Sequence, residues 1–203
     1  MDLFNRRFIQ NGMLDFLLEE RERGKIRHLG WSFHGDIDVF NRVLEMHGQV
    51  HWDFVQIQLN YVDWRHASAY NADWQKAMGD DTNAEYLYEE LAKRDIPVVV
   101  MEPLLGGRLA NVTQDVLAQM KQKRQDDSAA AWAFRFAGSL PKVLTVLSGM
   151  TYKEHLQDNL RTFSPLVPLS YEESRFLEDV AERMKDSQNI PCTDCKYCMP
   201  CPY

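Results

Sequence analysis

Four cysteines lie close together near the carboxyl end of the sequence, and the chain has no others. Two residues separate each from the next: they are Cys192, Cys195, Cys198 and Cys201. Thiolates at this spacing can surround a small volume, which suits a 4Fe-4S cluster. A zinc site is the alternative, although zinc ribbons usually place a long spacer between their two Cys-x-x-Cys pairs. Disulfides are least favoured, because such short loops constrain the unfolded chain little.

The bulk composition excludes several classes of function. The chain has 203 residues, a net charge of −7 and 45% hydrophobic residues. Nucleic acid is not expected as a partner, because phosphate binding needs a basic face. No apolar run approaches the roughly 20 residues of a membrane span, so no membrane is expected either. Cysteines confined to one metal-like group indicate a reducing, cytoplasmic environment.

The secondary structure that would position functional side chains is predicted to be short apolar strands that alternate with amphipathic helices. The strands are predicted at 26–33, 54–59, 96–103 and 143–147, and the helices near 8–23, 37–44, 82–91, 113–124, 128–138, 151–163 and 170–185. The β-branched third strand is predicted to be buried on both faces. Successive βα units imply a parallel sheet. Because a full (β/α)8 barrel needs about 250 residues, periodicity alone leaves half a barrel or a small open sheet.

Helix starts are predicted from three Ser/Thr-x-x-Glu patterns, at residues 82–85, 151–154 and 170–173. In such a capping box, the first side chain accepts a hydrogen bond from the main chain of the fourth residue, whose carboxylate bonds back. We therefore expect a helix to begin at each of the three positions.

Several segments, taken in order, resemble one known family. They are residues 24–34 (GKIRHLGWSFH), 55–61 (VQIQLNY), 99–109 (VVMEPLLGGRL), 147–150 (LSGM) and 155–159 (HLQDN). These are similar to the fifth to eighth strands of aldo-keto reductases, and the cysteine group resembles the 4Fe-4S ferredoxin-type extension of one branch. The resemblance implies an α/β fold of (β/α)8 TIM-barrel type, with about the last four βα units present and a short cysteine-rich tail. The implied domains are a barrel-like part (1–168), an extra helix (169–185) and a cluster-binding tail (186–203).

The same resemblance implies an oxidoreductase that uses NADP(H) or NAD(H) to interconvert a small-molecule carbonyl and an alcohol. The expected cofactor contacts are Ser32 and Gln56 at the carboxamide, Met101 at the nicotinamide ring, Glu102, Leu104, Gly106 and Gly107 at the pyrophosphate, and Ser148, Gly149, Met150, Asp158 and Asn159 at the adenosine. Gly149 and His155 stand where relatives carry cations for a 2′-phosphate, which leaves the choice of dinucleotide open.

No catalytic residue is assigned, since the family's catalytic Asp, Tyr, Lys and His lie on strands before the matched segments. The chain alone is therefore expected to be inactive. The alternative function is a non-catalytic iron–sulphur module that transfers electrons to a partner or mediates an interaction, with no affinity for dinucleotide. A third hypothesis is a homodimer in which two chains complete one barrel.

Overall fold

The computed structural model describes residues 4–35, 37–67 and 83–186. The strands in these residues are β1 (Gly30–Ser32), β2 (Phe54–Gln58), β3 (Val98–Met101) and β4 (Val143–Val146). The helices are α1 (Met13–Glu22), α2 (Ile37–Glu45), α3 (His47–Val50), α4 (Asp63–His66), α5 (Ala84–Ala92), α6 (Gln114–Lys123), α7 (Ala129–Gly138), α8 (Lys153–Phe163) and α9 (Tyr171–Asp186). A π-helical turn (Asn5–Ile9) precedes α1, and a 3-10 turn (Arg108–Ala110) follows β3.

The four strands form one parallel sheet in the order β1-β2-β3-β4. Every residue of β3 is buried, which confirms the prediction of a strand covered on both faces. β2 alternates half-buried and buried residues, while β4 is largely exposed. The two central strands therefore carry the core, and their carboxyl ends emerge at one edge of the sheet.

The predicted fold class is wrong for the part of the chain that the structure describes. The prediction was a (β/α)8 TIM-barrel type with about four βα units and a cysteine-rich tail. The described residues instead form an open four-stranded α/β sheet, because β1 and β4 lie at opposite edges and pair only with β2 and β3. The predicted cysteine-rich tail falls in residues 187–203, which lie outside the described residues.

Apolar side chains from the helices cover the central strands. One buried cluster joins β2 and β3 to α2 and α5, and its most enclosed members include Phe40, Val55, Ile57 and Leu91. Gly30 of β1 approaches β2 so closely that an added Cβ would lie 2.5 Å from the main-chain oxygen of Phe54. The first two strands are therefore set at a separation that a larger residue at this position would disturb.

The predicted helix starts have different outcomes. The box at 170–173 is confirmed: Ser170 Oγ accepts from the Glu173 amide at 3.2 Å, and Glu173 Oε2 accepts from the Ser170 amide at 2.7 Å. The box at 151–154 is wrong, because α8 begins at Lys153 after Tyr152, and the Thr151 amide donates to His155 Nδ1 at 3.3 Å instead. Thr82 lies outside the described residues.

None of the helices in the described ranges combines the length and apolar character that crossing a bilayer requires.

Candidate functional site

Three side chains meet where β1 and β3 end: Ser32 is the last residue of β1, Met101 is the last of β3, and Gln56 is the third residue of β2 between them. The Gln56 side-chain amide donates to Ser32 Oγ at 3.2 Å and lies 3.4 Å from Met101 Sδ. Parallel pairing explains this meeting, because Ser32 aligns with Gln56 in adjacent strands and Met101 closes β3 next to them. Ser32 is exposed, Gln56 is half-buried and Met101 is buried. The resemblance assigned these three residues to the nicotinamide, and the structure brings their side chains into one cluster.

The turn after β3 has an unusual backbone. Glu102, Leu105, Gly106 and Gly107 all have positive φ, at 52°, 48°, 63° and 93°. The Glu102 carboxylate folds back over the turn, where its Oε2 accepts from the Gly106 amide at 2.7 Å. Left-handed residues in succession turn main-chain N–H groups toward one concavity, a shape that binds anions. In this structure, however, the amides of Leu105 and Gly107 donate to the main-chain oxygens of Glu102 and Leu104, and the Gly106 amide donates to the Glu102 carboxylate. An anion could therefore use the Gly106 amide only by displacing that carboxylate.

A buried polar network lies beneath this turn, and sequence reasoning missed it. Asn60 is fully buried, and its amide donates to Asp63 Oδ2 at 2.7 Å and to the Glu102 main-chain oxygen at 3.0 Å. Gln58 also donates to Asp63 Oδ2, at 2.5 Å. The available signal was the pattern of Asn60 followed three residues later by Asp63, directly after a strand, which is typical of a local side-chain to main-chain motif.

Asp63 is buried at the first residue of α4. Burial is the main cause that raises the pKa of its carboxyl group, because a low-dielectric surrounding disfavours the charge. The bonds from Gln58 and Asn60 oppose this rise, and the nearby Glu102 carboxylate adds to it. Asp63 Oδ1 has no hydrogen-bond partner among the described residues. The network thus contains one buried carboxyl group, whose Oδ2 accepts hydrogen bonds from the side-chain amides of Gln58 and Asn60.

The residues assigned to adenosine lie after β4 and on α8. Asn159 donates to Ser148 Oγ at 3.0 Å, which brings two of the predicted contacts together. Gly149 and Met150 are exposed in the turn between them. Asp158 faces another direction: its Oδ2 accepts from Ser128 Oγ at 2.5 Å. Because Ser128 also caps α7, Asp158 has a structural task that the sequence did not indicate.

No metal centre is formed by the residues that the structure describes. Within 4–35, 37–67 and 83–186, no three His, Cys, Asp or Glu side chains are grouped as metal ligands. The four predicted ligands Cys192, Cys195, Cys198 and Cys201 lie outside those ranges. Neither His34 nor His66 joins the cluster at Gln56: His34 is exposed, and Nε2 of His66, at the end of α4, lies 3.6 Å from Glu182 Oε1.

Comparison with known proteins shows similarity to one family. A model of the aldo/keto reductase family matches residues 9–182. Aldo-keto reductase AKR11C1 from Bacillus halodurans, in its holo form, is 17% identical, with a TM-score of 0.59 over 85% of this chain and 56% of that one. A putative 2,5-diketo-D-gluconic acid reductase B is 18% identical, with a TM-score of 0.60 over 83% of this chain and 50% of that one. The thermostable aldo-keto reductase Tm1743, crystallised with the inhibitor epalrestat, is 20% identical, with a TM-score of 0.57 over 83% of this chain and 53% of that one.

The chain spans about half the length of these solved structures. No curated protein matches it. The matches cover the sheet and its helices and do not show the cysteine-rich tail that the predicted fold class included. At these identities the solved structures establish the fold, while the family match extends over most of the sequence.

Proposed function

Since the chain belongs to the aldo/keto reductase family, we propose that it binds a nicotinamide dinucleotide for hydride transfer between a small carbonyl compound and an alcohol. One observation carries the proposal: the Gln56 amide, in the middle of β2, bonds Ser32 and contacts Met101, which lie at the carboxyl ends of the two adjacent strands. Ligands of parallel α/β sheets bind at this edge, where loops rather than core side chains surround the strand ends.

The cluster at Gln56 fits a nicotinamide. A carboxamide needs one donor and one acceptor opposite it, and a glutamine amide beside a serine hydroxyl supplies both. Gln56 is already oriented by Ser32, so little side-chain freedom is lost when a ligand binds. The polarizable thioether of Met101 offers a soft apolar surface for the flat ring.

The two remaining groups of residues would hold the rest of the dinucleotide. The turn formed by Leu104, Gly106 and Gly107 would hold the pyrophosphate, with the Gly106 amide donating to it once the Glu102 carboxylate, which accepts from that amide, is displaced. Ser148 and Asn159 form a hydrogen-bonded pair for the adenosine, with Gly149 and Met150 between them. Asp158 would act indirectly, by holding α7 and α8 together through Ser128.

The described residues bind and orient the cofactor, and we assign none of them as the proton donor. The dinucleotide supplies the hydride when it is bound. Ser32 and Gln56 would fix which face of the ring is presented, and Met101 would exclude water from the opposite side. NADP(H) and NAD(H) both remain within the proposal. By the resemblance, Gly149 stands where relatives carry a cation for the 2′-phosphate, and glycine has no side chain that could select it.

Calorimetric titration with NADPH and NADH tests the proposal. We expect binding by the unmodified chain and a roughly tenfold loss of affinity in Gln56→Ala, because about one hydrogen bond to the ligand disappears. Gln114→Ala is the matched control, since Gln114 is an exposed glutamine at the start of α6. Equal affinity in the two variants would refute the assignment of Gln56.

We further propose, from spacing alone, that Cys192, Cys195, Cys198 and Cys201 hold a 4Fe-4S cluster in a reducing cytoplasm. The cluster would pass single electrons to a partner or stabilise its segment. Anaerobically purified protein should then be brown and contain about four irons per chain, and Cys195→Ser should bleach it. A colourless protein with one zinc would overturn this assignment. Iron without dinucleotide binding would favour the non-catalytic electron-transfer module.

A further inference from the structure

The buried network at the end of β2 reaches the turn after β3 through a single side chain. Asn60 uses its full hydrogen-bonding capacity: Oδ1 accepts from the amides of Val62 at 3.0 Å and Asp63 at 2.8 Å. Its amide donates to Asp63 Oδ2 and to the Glu102 main-chain oxygen. A fully satisfied buried amide has one favourable orientation, so Asn60 fixes the Glu102 carbonyl relative to β2.

The conformation of Glu102 needs such support. Its φ of 52° is left-handed, which is unfavourable for a residue with a side chain. A residue in this region persists only where its surroundings hold it. The Glu102 carbonyl accepts from Asn60 at 3.0 Å and from the Leu105 amide at 3.1 Å, while its carboxylate accepts from Gly106. Glu102 is thus held by the buried network, through Asn60, and by the main-chain amides of Leu105 and Gly106 later in the turn.

We propose that Asn60 and Asp63 are positioning residues for the dinucleotide, because they hold Glu102 in its left-handed conformation and so fix the turn from Leu104 to Gly107. This inference rests on the proposed function, which assigns that turn to the pyrophosphate. Asp63 contributes by accepting from both Asn60 and Gln58, which locks the Asn60 amide in the orientation that reaches Glu102. Neither residue needs to touch the ligand.

The test compares Asn60→Asp, Asp63→Ala and the control Asn41→Asp. Asn60→Asp keeps the acceptor for Val62 and Asp63 but removes both donated bonds, and Asp63→Ala releases Asn60 without altering it. Asn41 lies on α2, where its Oδ1 accepts from Tyr86, a bond that aspartate preserves. Amide hydrogen exchange and NADPH titration are measured on each variant, and two independent variants keep the test valid if one does not fold.

We expect Gly106 and Gly107 amides to exchange about tenfold faster in both variants, and NADPH to bind about tenfold more weakly. Exchange at Ile57 in β2 should stay unchanged, whereas a purely structural role would loosen the whole sheet. Unchanged exchange at the glycines would overturn the positioning role. Faster exchange with unaltered NADPH affinity would overturn its link to the cofactor. An unmodified chain that binds no dinucleotide would overturn the proposed function, while faster exchange in its variants would still support the holding of the turn.

Discussion

The guanidinium of Arg124 forms two hydrogen bonds with the carboxylate of Glu173, from Nε at 2.6 Å and from Nη2 at 2.9 Å. Arg124 directly follows α6, and Glu173 lies in the first turn of α9, so two residues that are 49 apart in the chain join these helices. Arg124 Nη2 also donates to the Pro168 main-chain oxygen at 3.1 Å. A bidentate pair of this kind fixes both the distance and the angle between its two side chains, and here it holds the start of α9 next to the end of α6.

Glu173→Gln should destabilise the protein in a pH-dependent way. The bonds from Arg124 are the main cause that lowers the pKa of Glu173 to about 2, against an ordinary value of 4.5. A depressed pKa contributes stability above pH 4.5 that is lost as the pH falls toward 2. We expect the free energy of unfolding of the variant to be about 2 kcal/mol lower than that of the unmodified protein at pH 7. Chemical denaturation at pH 7, 5 and 3 should show that the difference in the free energy of unfolding between the variant and the unmodified protein becomes smaller at the lowest pH. The control Glu172→Gln changes an exposed neighbour and should have little effect at any of these pH values.

Asp127→Asn should be strongly destabilising. Arg135 is buried on α7, and its guanidinium bonds Asp127 at 2.6 Å and 3.2 Å. Removing the acid leaves a buried cation without its charge partner, which costs about 3 kcal/mol. Thermal unfolding of Asp127→Asn and of the exposed neighbour Asp126→Asn separates this effect from a general loss of surface charge. Similar midpoints for the two variants would contradict the prediction.

Gly30→Ala should weaken the pairing of β1 with β2. The added Cβ would meet the Phe54 main-chain oxygen at 2.5 Å, and a strand cannot yield as a side chain does. We expect a loss of about 2 kcal/mol in the free energy of unfolding, together with weaker NADPH binding through displacement of Ser32. Gly35→Ala is the control, since no atom lies within 4 Å of its added Cβ and its φ is not positive. Urea denaturation and NADPH titration of both variants measure the two effects.

Glu102→Gln should strengthen dinucleotide binding. The carboxylate lies on the Gly106 amide, where its charge opposes an approaching pyrophosphate. An amide oxygen can keep that hydrogen bond without the charge, so we expect NADPH to bind about threefold more tightly at low salt. The gain should fade as salt rises. Weaker binding in the variant would mean that the carboxylate itself contacts the ligand.

The resemblance to aldo-keto reductases is confirmed by the family match, while the contacts of Ser32, Gln56 and Met101 with a nicotinamide cofactor stay predictions. Local pattern was sufficient for the order of the four strands and the longer helices, for the buried β3 and for the box at Ser170, but it did not predict the short helices α3 and α4. Such features depend on residues within one or two turns of each other. Boundaries were less accurate: α1 begins at Met13 rather than residue 8, because Gly12, at φ 71°, interrupts the helical run.

The sequence by itself determined the alternation of parallel strands and helices and the strand ends at which ligand contacts could gather, because periodicity and turn residues are local signals. Only the tertiary structure decided that the described sheet is open, that Asn60 reaches Glu102 across 42 residues, and that Asp158 bonds Ser128. Those contacts join segments far apart in the chain. They arise when buried polar groups must find partners in the packed core, which no local spacing specifies.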